Sequence, residues 1–194
     1  MKHHRYIAAL VLCLIVAALS SSPAVAFDLR TLVGHSSRSA VPAGASFEVT
    51  FSPSPETEAS ILRFISEARV SVHVAAYSFT SKSIAAALLA ASKKGLDVRV
   101  VVDKSNLSKY SAASFLANQG VPVRVDSVYA IQHQKVIIVD GKSVELGSYN
   151  YSQAARDKNS ECVLILREVP QLAASFEKNW GKMWGESQNL APRY

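Results

Sequence analysis

The sequence is 194 residues long, 49% hydrophobic and 19% charged, with a formal net charge of +6 at pH 7. This length suits one domain, or one domain with a targeting segment. The two cysteines are Cys13 and Cys162. Because Cys13 lies in the N-terminal segment that we expect to be removed, an intrachain disulfide is excluded in the mature chain. Cys162 lies in an apolar run and is predicted to be a buried core residue.

Residues 1–26 have the features of a secretory signal peptide. Lys2 and Arg5 form a basic start, residues 6–19 are almost wholly apolar, and residues 24–26 (Ala-Val-Ala) supply a cleavage site. The apolar run is shorter than the roughly 20 residues that span a bilayer, although an uncleaved N-terminal anchor is an alternative interpretation. We therefore expect an exported protein, periplasmic or secreted, whose mature chain is not stably inserted in a membrane. Cleavage would leave a net charge of +4, because the removed segment holds two basic and no acidic residues.

The rest of the chain divides into an arm, a domain and a short tail. Residues 27–52 are predicted to be a linker or N-terminal arm, within which residues 47–51 alternate like an edge strand. Residues 53–188 form the predicted domain, and residues 189–194 a C-terminal tail. Hydrophobic periodicity in the domain predicts helices that begin near residue 56 and over 81–94, 110–118, 151–156 and 170–184, and strands over 70–77, 98–102, 121–125, 132–139, 143–148 and 162–166. This alternation predicts the α/β class, with a mixed, largely parallel central sheet and helices on both faces.

The segment from His133 to Asn150 carries the residues most suggestive of chemistry. On a strand, His133 and Lys135 would point to the same face. Asp140-Gly141 is a hairpin turn signal, and such a turn pairs positions whose numbers sum to about 282. Ser148 would then lie opposite the His133–Lys135 region, so an imidazole, an ammonium, a hydroxyl and the Asn150 amide would converge.

A cluster of donors with one positive charge is suited to an anion with several oxygens, and phosphate fits best. Lys135 would neutralise a phosphate oxygen, Ser148 and Asn150 would donate to it, and Gly147 would allow close backbone approach. His133 is the plausible nucleophile, because a neutral imidazole can attack phosphorus and divide a hard hydrolysis into two displacements. By contrast, His73 lies in an apolar strand, and we interpret it as structural.

A metal site is the main alternative for phosphodiester chemistry. After cleavage the chain has only three histidines, His35, His73 and His133, at wide spacing. No cluster of Asp, Glu and His has the spacing of metal ligands, and Lys135 would repel a cation beside His133. The sequence therefore predicts neither a metal nor another cofactor.

The motif His133-x-Lys135-x4-Asp140, followed after six residues by Gly147-Ser148-x-Asn150, resembles the His-Lys-Asp signature of the phospholipase D superfamily. The likeness is closest to its small, exported, chelator-resistant bacterial endonucleases, and it extends from about residue 54 to residue 184. It implies a phospholipase D-like fold for residues 53–188 and a phosphohistidine on His133. It also implies that Lys135, Ser148 and Asn150 bind the phosphate, that Asp140 supports the catalytic motif, and that Glu161 orients the imidazole.

The implied reaction needs two histidines at one phosphate, one to attack and one to protonate the leaving oxygen. This chain has one copy of the motif, whereas longer members of the superfamily have two. We therefore expect a homodimer whose two His133 side chains share one active site across the two-fold axis.

Three functions are compatible with these features. The first is a nonspecific endonuclease that acts on DNA, with RNA as a further candidate substrate. It is favoured by the net positive charge and by basic residues in segments expected near the site: Lys104, Lys109, Arg124, Arg156 and Lys158. Tyr129, Tyr149 and Tyr151 could stack on bases, or could equally pack the walls of the site. The second is a phospholipase, for which residues 127–131 offer an apolar lip. The third is a non-catalytic nucleic-acid-binding protein, which would not need the intact His133 cluster.

Overall fold

The computed structural model describes residues 38–108 and 111–192. The predicted signal peptide, Cys13, His35, most of the predicted arm and Lys109 lie outside these residues, so those predictions stay as stated above. The described residues from Ser39 onwards belong to one compact unit. Within the described residues, no helix is long and apolar enough to cross a membrane.

One eight-stranded sheet organises the described residues, with strand order β1-β7-β6-β5-β2-β3-β4-β8. The strands are β1 (Ser46–Ser52), β2 (Ser71–Ala76), β3 (Asp97–Asp103), β4 (Val123–Asp126), β5 (Lys135–Val139), β6 (Ser143–Gly147), β7 (Glu161–Arg167) and β8 (Gln188–Asn189). The mixed α/β fold that the sequence predicts is confirmed. The prediction that the sheet is largely parallel is wrong, because only the β2–β3 and β3–β4 pairs are parallel among the pairs described, and the other five are antiparallel.

Among the described residues, five α-helices lie between these strands or follow them. They are α1 (Pro55–Glu67), α2 (Lys82–Lys93), α3 (Ala112–Asn118), α4 (Gln153–Asp157) and α5 (Pro170–Glu186). Serine side chains cap the first four helices, each accepting a hydrogen bond from a backbone N–H of the first turn. Proline occupies the first position of α1 and α5, where a missing N–H costs nothing.

Apolar side chains pack on both faces of the sheet, but unequally. The larger core joins α1, α2, α3 and α4 to one face and includes Phe64, Leu88 and Ile137. The smaller core packs α5 on the other face, where Trp180 and Met183 meet residues such as Ile138. Because α5 contacts β2, β4, β5 and β6, it leaves the β1–β7 side of this face open to solvent.

The domain boundaries predicted from the sequence need two corrections. Strand β1 pairs with β7 along its whole length, so the sheet begins at Ser46 within the predicted arm rather than after residue 53. Strand β8 pairs with β4 and includes Asn189, and the Leu190 N–H donates to the Val123 carbonyl, so the predicted tail begins inside the sheet. The alternation of residues 47–51 did predict β1 as an edge strand, and only its pairing places it in the domain. The polar composition of β8 concealed a strand that is held mainly by backbone hydrogen bonds.

Candidate active site

The candidate site lies at the edge of the sheet where β2 and β6 end and β5 and β7 begin. The β5–β6 pairing follows the predicted register, with Val136 opposite Leu146 and Ile138 opposite Val144. Three residues, 140–142, separate the paired residues Val139 and Ser143. The Lys142 N–H donates to the Val139 carbonyl at 3.0 Å, and φ is positive at Asp140 (55°) and Gly141 (62°), so the chain reverses in a tight turn. The short turn therefore holds His133 and Lys135 next to the end of β6.

His133 lies in the coil that precedes β5, not on the strand as predicted from the sequence. The coil is anchored because the Asp103 carboxylate accepts the Gln132 N–H at 2.7 Å and the Gln132 side chain accepts the Gln134 N–H at 2.7 Å. The His133 ring is exposed, and its centroid lies 4.5 Å from that of Tyr77 in a tilted arrangement. An anchored backbone thus presents an imidazole that a substrate can reach.

Lys135 is the buried cation of the site. Its residue is only 5% exposed, its Nζ donates to the His133 carbonyl at 2.7 Å, and Nζ lies 5.1 Å from the Tyr77 ring centroid. Burial lowers the pKa of Lys135, and the nearby charge of Glu161 opposes that shift. A desolvated ammonium interacts strongly with an anion, which suits it to neutralise a phosphate oxygen.

Ser148 and Asn150 follow β6 and face the same edge of the sheet. The exposed Ser148 hydroxyl oxygen accepts a hydrogen bond from the Cys162 N–H at 3.1 Å and lies 3.9 Å from the Cys162 Sγ. The Asn150 Oδ1 is buried and has no hydrogen-bond partner among the described residues. The predicted donation to a phosphate oxygen would come from the Asn150 Nδ2, since an amide oxygen only accepts hydrogen bonds.

Gly147 has a structural role in addition to the predicted one. A Cβ built at this position would lie 2.1 Å from the Cys162 carbonyl oxygen and 3.2 Å from the Val163 Cα. The glycine is therefore required for β6 and β7 to pair closely beside the site. This requirement is independent of any approach of phosphate to the Gly147 backbone.

The two predicted supporting acids lie in very different places. Glu161 begins β7 beside the site, and among the described residues it accepts a hydrogen bond from Asn159 Nδ2 at 3.0 Å rather than from His133. Asp140 lies at the opposite end of β5, about 16 Å along the strand from Lys135 at roughly 3.3 Å per residue. Its carboxylate accepts backbone N–H groups of Arg69, Val70 and Ser71 at 2.7–3.1 Å.

Asp140 therefore lies apart from His133, Lys135, Ser148 and Asn150, and its contacts give structural support to the motif from the far end of β5. A carboxylate that accepts several backbone N–H groups is a strong local anchor. Here it attaches the hairpin turn to the chain that enters β2. The spacing between Lys135 and Asp140 therefore equals the length of strand β5 and does not indicate that both residues contact one substrate.

A groove of about 350 Å³ begins at His133 and Lys135 and runs between the β5–β6 hairpin and α5. Its helical wall is formed by Ser175, Phe176 and Asn179, which the sequence analysis did not identify as site residues. Asn179 Nδ2 donates to the Gln134 side chain at 3.3 Å and so connects α5 to the coil that carries His133. The polar Asn179 interrupts the apolar stripe of α5, and this sequence feature could have predicted that the helix lines the groove.

Several residues that were predicted to contact the substrate instead contact other residues of the protein. Tyr149 and Tyr151 are fully buried, so they pack the core beneath the site and cannot stack on bases. Lys104 donates to the carbonyl oxygens of Ser127 and Tyr129. Arg124 lies over the Trp184 ring at 4.4 Å, and Arg156 forms ion pairs with Glu58 and Asp157, whereas Lys158 is exposed.

Two further predictions concern residues outside the cluster. His73 stacks on Trp180 at 4.3 Å and its Nδ1 lies 2.9 Å from Glu177, which agrees with a structural role. The prediction that Cys162 is buried is wrong, because its side chain is exposed on the part of the sheet that α5 leaves uncovered. Across the described residues, no three His, Cys, Asp or Glu side chains form a group that could hold a metal ion.

Comparisons with known proteins agree with this geometry. Residues 61–184 match the family described as cardiolipin synthase, PLD-like domain. Phospholipase D of Rickettsia bellii is 38% identical over 117 residues, which are 60% of this chain. The chain spans 58% to 65% of the length of the Rickettsia proteins of this name that it matches.

Two solved structures are similar over most of the described residues. Nuc from Salmonella typhimurium, described as a phospholipase D family member, has a TM-score of 0.72 and is 40% identical. The match covers 76% of this chain and 99% of Nuc. NucT from Helicobacter pylori has a TM-score of 0.65 and is 28% identical, and that match covers 75% of this chain and all of NucT (100%).

Proposed function

We propose that this chain, which belongs to the phospholipase D superfamily of phosphodiester hydrolases, is a metal-independent endonuclease that cleaves DNA, with RNA as a second candidate substrate. The proposal is carried by one observation: an exposed imidazole, a buried lysine, a serine hydroxyl and an asparagine amide all lie at the edge of the sheet where β5 begins and β6 ends. These groups are His133, Lys135, Ser148 and Asn150. Together they offer a nucleophile, a countercharge and hydrogen-bond donors for a phosphodiester.

The proposed reaction has two displacements at phosphorus. A neutral His133 nitrogen attacks, a P–N bond forms, the bond to the leaving oxygen breaks, and a second imidazole donates its proton to that oxygen. The same second imidazole then takes a proton from water, whose oxygen displaces His133 and releases the phosphomonoester. Lys135 balances the phosphate charge throughout, while Ser148 and Asn150 hold the oxygens.

We propose that the second imidazole is His133 of another copy of the chain, in a homodimer with one shared site. Because the second histidine of the described residues, His73, is stacked on Trp180 and bonded to Glu177, it is not available for this role. Wild-type protein mixed with a tagged His133→Asn chain should form heterodimers that lack normal turnover. Full activity in the purified heterodimer would exclude the shared site.

The resemblance to small bacterial endonucleases and the net positive charge favour nucleic acid as the substrate. One observation favours a phospholipase instead. Val128, Tyr129 and Ile131 are exposed beside His133, and Ile131 keeps 55% of its surface accessible, so they form an apolar lip that suits a lipid surface. The relatives named phospholipase D are consistent with this second candidate.

A parallel assay tests the proposal and its alternative. Mature protein is incubated with plasmid DNA, RNA and phosphatidylcholine–phosphatidylglycerol vesicles, each with excess chelator, and His133→Asn serves as the control. We expect nicking of DNA that persists under chelation and is absent in the variant. Release of lipid headgroups alone would support the phospholipase, whereas binding without turnover would support a non-catalytic protein.

A quench experiment tests the chemistry directly. Acid-free denaturation during turnover, followed by mass spectrometry of the peptides, should find a phosphoryl adduct on His133. An adduct on any other residue would contradict the mechanism. The expected export to the periplasm or medium is tested separately, by fractionation of cells that express the full chain and by the N-terminal sequence of the mature protein.

A further inference from the structure

The chain segment that carries Ser148 and Asn150 is attached to the core through the residues between and after them. Its side chains alternate in burial: Ser148 is exposed, Tyr149 is fully buried, Asn150 is half-buried and Tyr151 is fully buried. The two candidate phosphate ligands therefore face the site while the two tyrosines enter the larger core. The position of the ligands depends on how the tyrosines are held.

Tyr151 is held on both its backbone and its side chain. Its carbonyl oxygen accepts the N–H groups of Thr80 and Ser81, each at 2.8 Å. Its ring packs edge-to-face on Phe79, and its hydroxyl donates to Glu145 Oε2 at 2.7 Å. The residue after Asn150 is thus connected to both α2 and β6.

Glu145 is an unusual residue for its position. It pairs across the sheet with Ile137 and Ile165, both of which face the larger core, and none of its surface is exposed. Burial raises the pKa of Glu145 to about 8, so most of the carboxyl groups are protonated and neutral at pH 7. An apolar residue would fill this position without the desolvation cost, which indicates a specific use for the carboxyl.

We propose that Glu145 is a positioning residue of the active site, which acts through the Tyr151 hydroxyl to hold Ser148 and Asn150 where they bind the phosphate. This inference rests on the proposed phosphodiesterase function. Glu145 lies two residues before Gly147, and Tyr151 lies one residue after Asn150. The Glu145–Tyr151 bond therefore closes a loop of the chain around the two ligands.

Tyr149, the other buried tyrosine of this segment, provides a control for Tyr151. Burial of the Tyr149 side chain, together with the nearby charge of Glu58, raises the pKa of Tyr149. The Tyr149 hydroxyl has no hydrogen-bond partner among the described residues. Its side chain points away from the site, so Tyr149→Phe is a matched control for Tyr151→Phe.

The test measures the dissociation constant for inorganic phosphate by titration calorimetry at pH 7, together with kcat and KM for a small aryl phosphodiester. Tyr151→Phe should weaken phosphate binding and lower kcat about tenfold, the equivalent of one specific hydrogen bond. Glu145→Gln keeps a neutral acceptor for the tyrosine and should stay within about threefold of wild type. Tyr149→Phe should match wild type.

Unchanged phosphate affinity and kcat in Tyr151→Phe, with only a lowered melting temperature, would overturn the proposal and leave a purely structural pair. The same result in the double variant Glu145→Gln/Tyr151→Phe would confirm that outcome. Phosphate binding is measured without turnover. A wild-type protein that cleaves no phosphodiester would therefore contradict the proposed function, while the ranking of phosphate affinities would still decide the role of Glu145.

Discussion

The two ends of β5 carry two halves of one sequence motif, and they differ in how their polar groups are satisfied. At the turn end, the Asp140 carboxylate accepts N–H groups from three consecutive residues. At the other end, the His133 ring is exposed, Lys135 is a buried cation, and Asn150 Oδ1 has no partner among the described residues. The turn end therefore stabilises the fold, whereas the opposite end presents an imidazole and an ammonium that a substrate could contact.

This difference shows that residues of one motif need not act at one site. A short hairpin with a fixed turn must be anchored at its turn if its open end is to be held accurately. Asp140 provides that anchor, and the open end holds groups whose burial or exposure costs stability. Substitutions at the two ends should therefore separate activity from stability.

The largest effect is expected for His133→Asn. Loss of the nucleophile should lower kcat by about 10⁴-fold or more, while the melting temperature stays close to that of wild type because the ring is exposed. Initial rates on plasmid DNA and a calorimetric unfolding scan measure the two quantities. A large loss of stability would show that the imidazole also supports the fold, which would weaken the contrast between the ends.

Lys135→Met should lower kcat/KM by about 10²–10³-fold, because the phosphate charge loses its countercharge. The same substitution should raise the free energy of unfolding, since a buried ammonium is replaced by an apolar side chain of similar length. Lys142→Met, an exposed lysine at the turn end, is the matched control and should change neither quantity. Lower stability in Lys135→Met would contradict the view that this lysine is retained for function.

Asp140→Ala should give the reverse pattern. Removal of the carboxylate leaves three backbone N–H groups without their acceptor, and we expect a loss of about 2–3 kcal/mol in the free energy of unfolding. Well below the melting temperature, kcat/KM should stay within about threefold of wild type because Asp140 lies far from the phosphate. Asp157→Ala, which removes an exposed carboxylate bonded to Arg156, is the control and should cost much less. Loss of activity without loss of stability would show that Asp140 takes part in catalysis.

The last prediction concerns the pH dependence of stability and the core beneath the site. The folded pKa of Glu145, about 8, lies above the ordinary value of 4.5, so the unfolded chain releases this proton first. The contribution of Glu145 to stability is therefore complete below about pH 4.5 and is lost progressively as pH rises to about 8. Urea unfolding between pH 5 and pH 9 should show a shallower dependence on pH in Glu145→Gln than in wild type. Identical slopes would show that the carboxyl is ionised in the folded protein.

Much of the architecture could be predicted from the sequence because it depends on local rules. Hydrophobic periodicity identified the helices and most strands, and the Asp140-Gly141 turn predicted the β5–β6 register to the residue. The strand directions could not be predicted in this way. The chain returns from β4 at one side of the sheet to place β5 beside β2, and only tertiary packing determines that β5 runs antiparallel to it.

The sequence by itself therefore predicted that His133, Lys135, Ser148 and Asn150 lie at one edge of the sheet, because the Asp140-Gly141 turn and the strand period of two fix the β5–β6 register. Only the tertiary structure decided that Asp140 anchors the opposite end, that Gly147 is required by the β7 backbone, and that Cys162 is exposed. Each of these depends on a contact, or on its absence, between segments distant in the chain. Local periodicity and turn chemistry carry no information about such contacts.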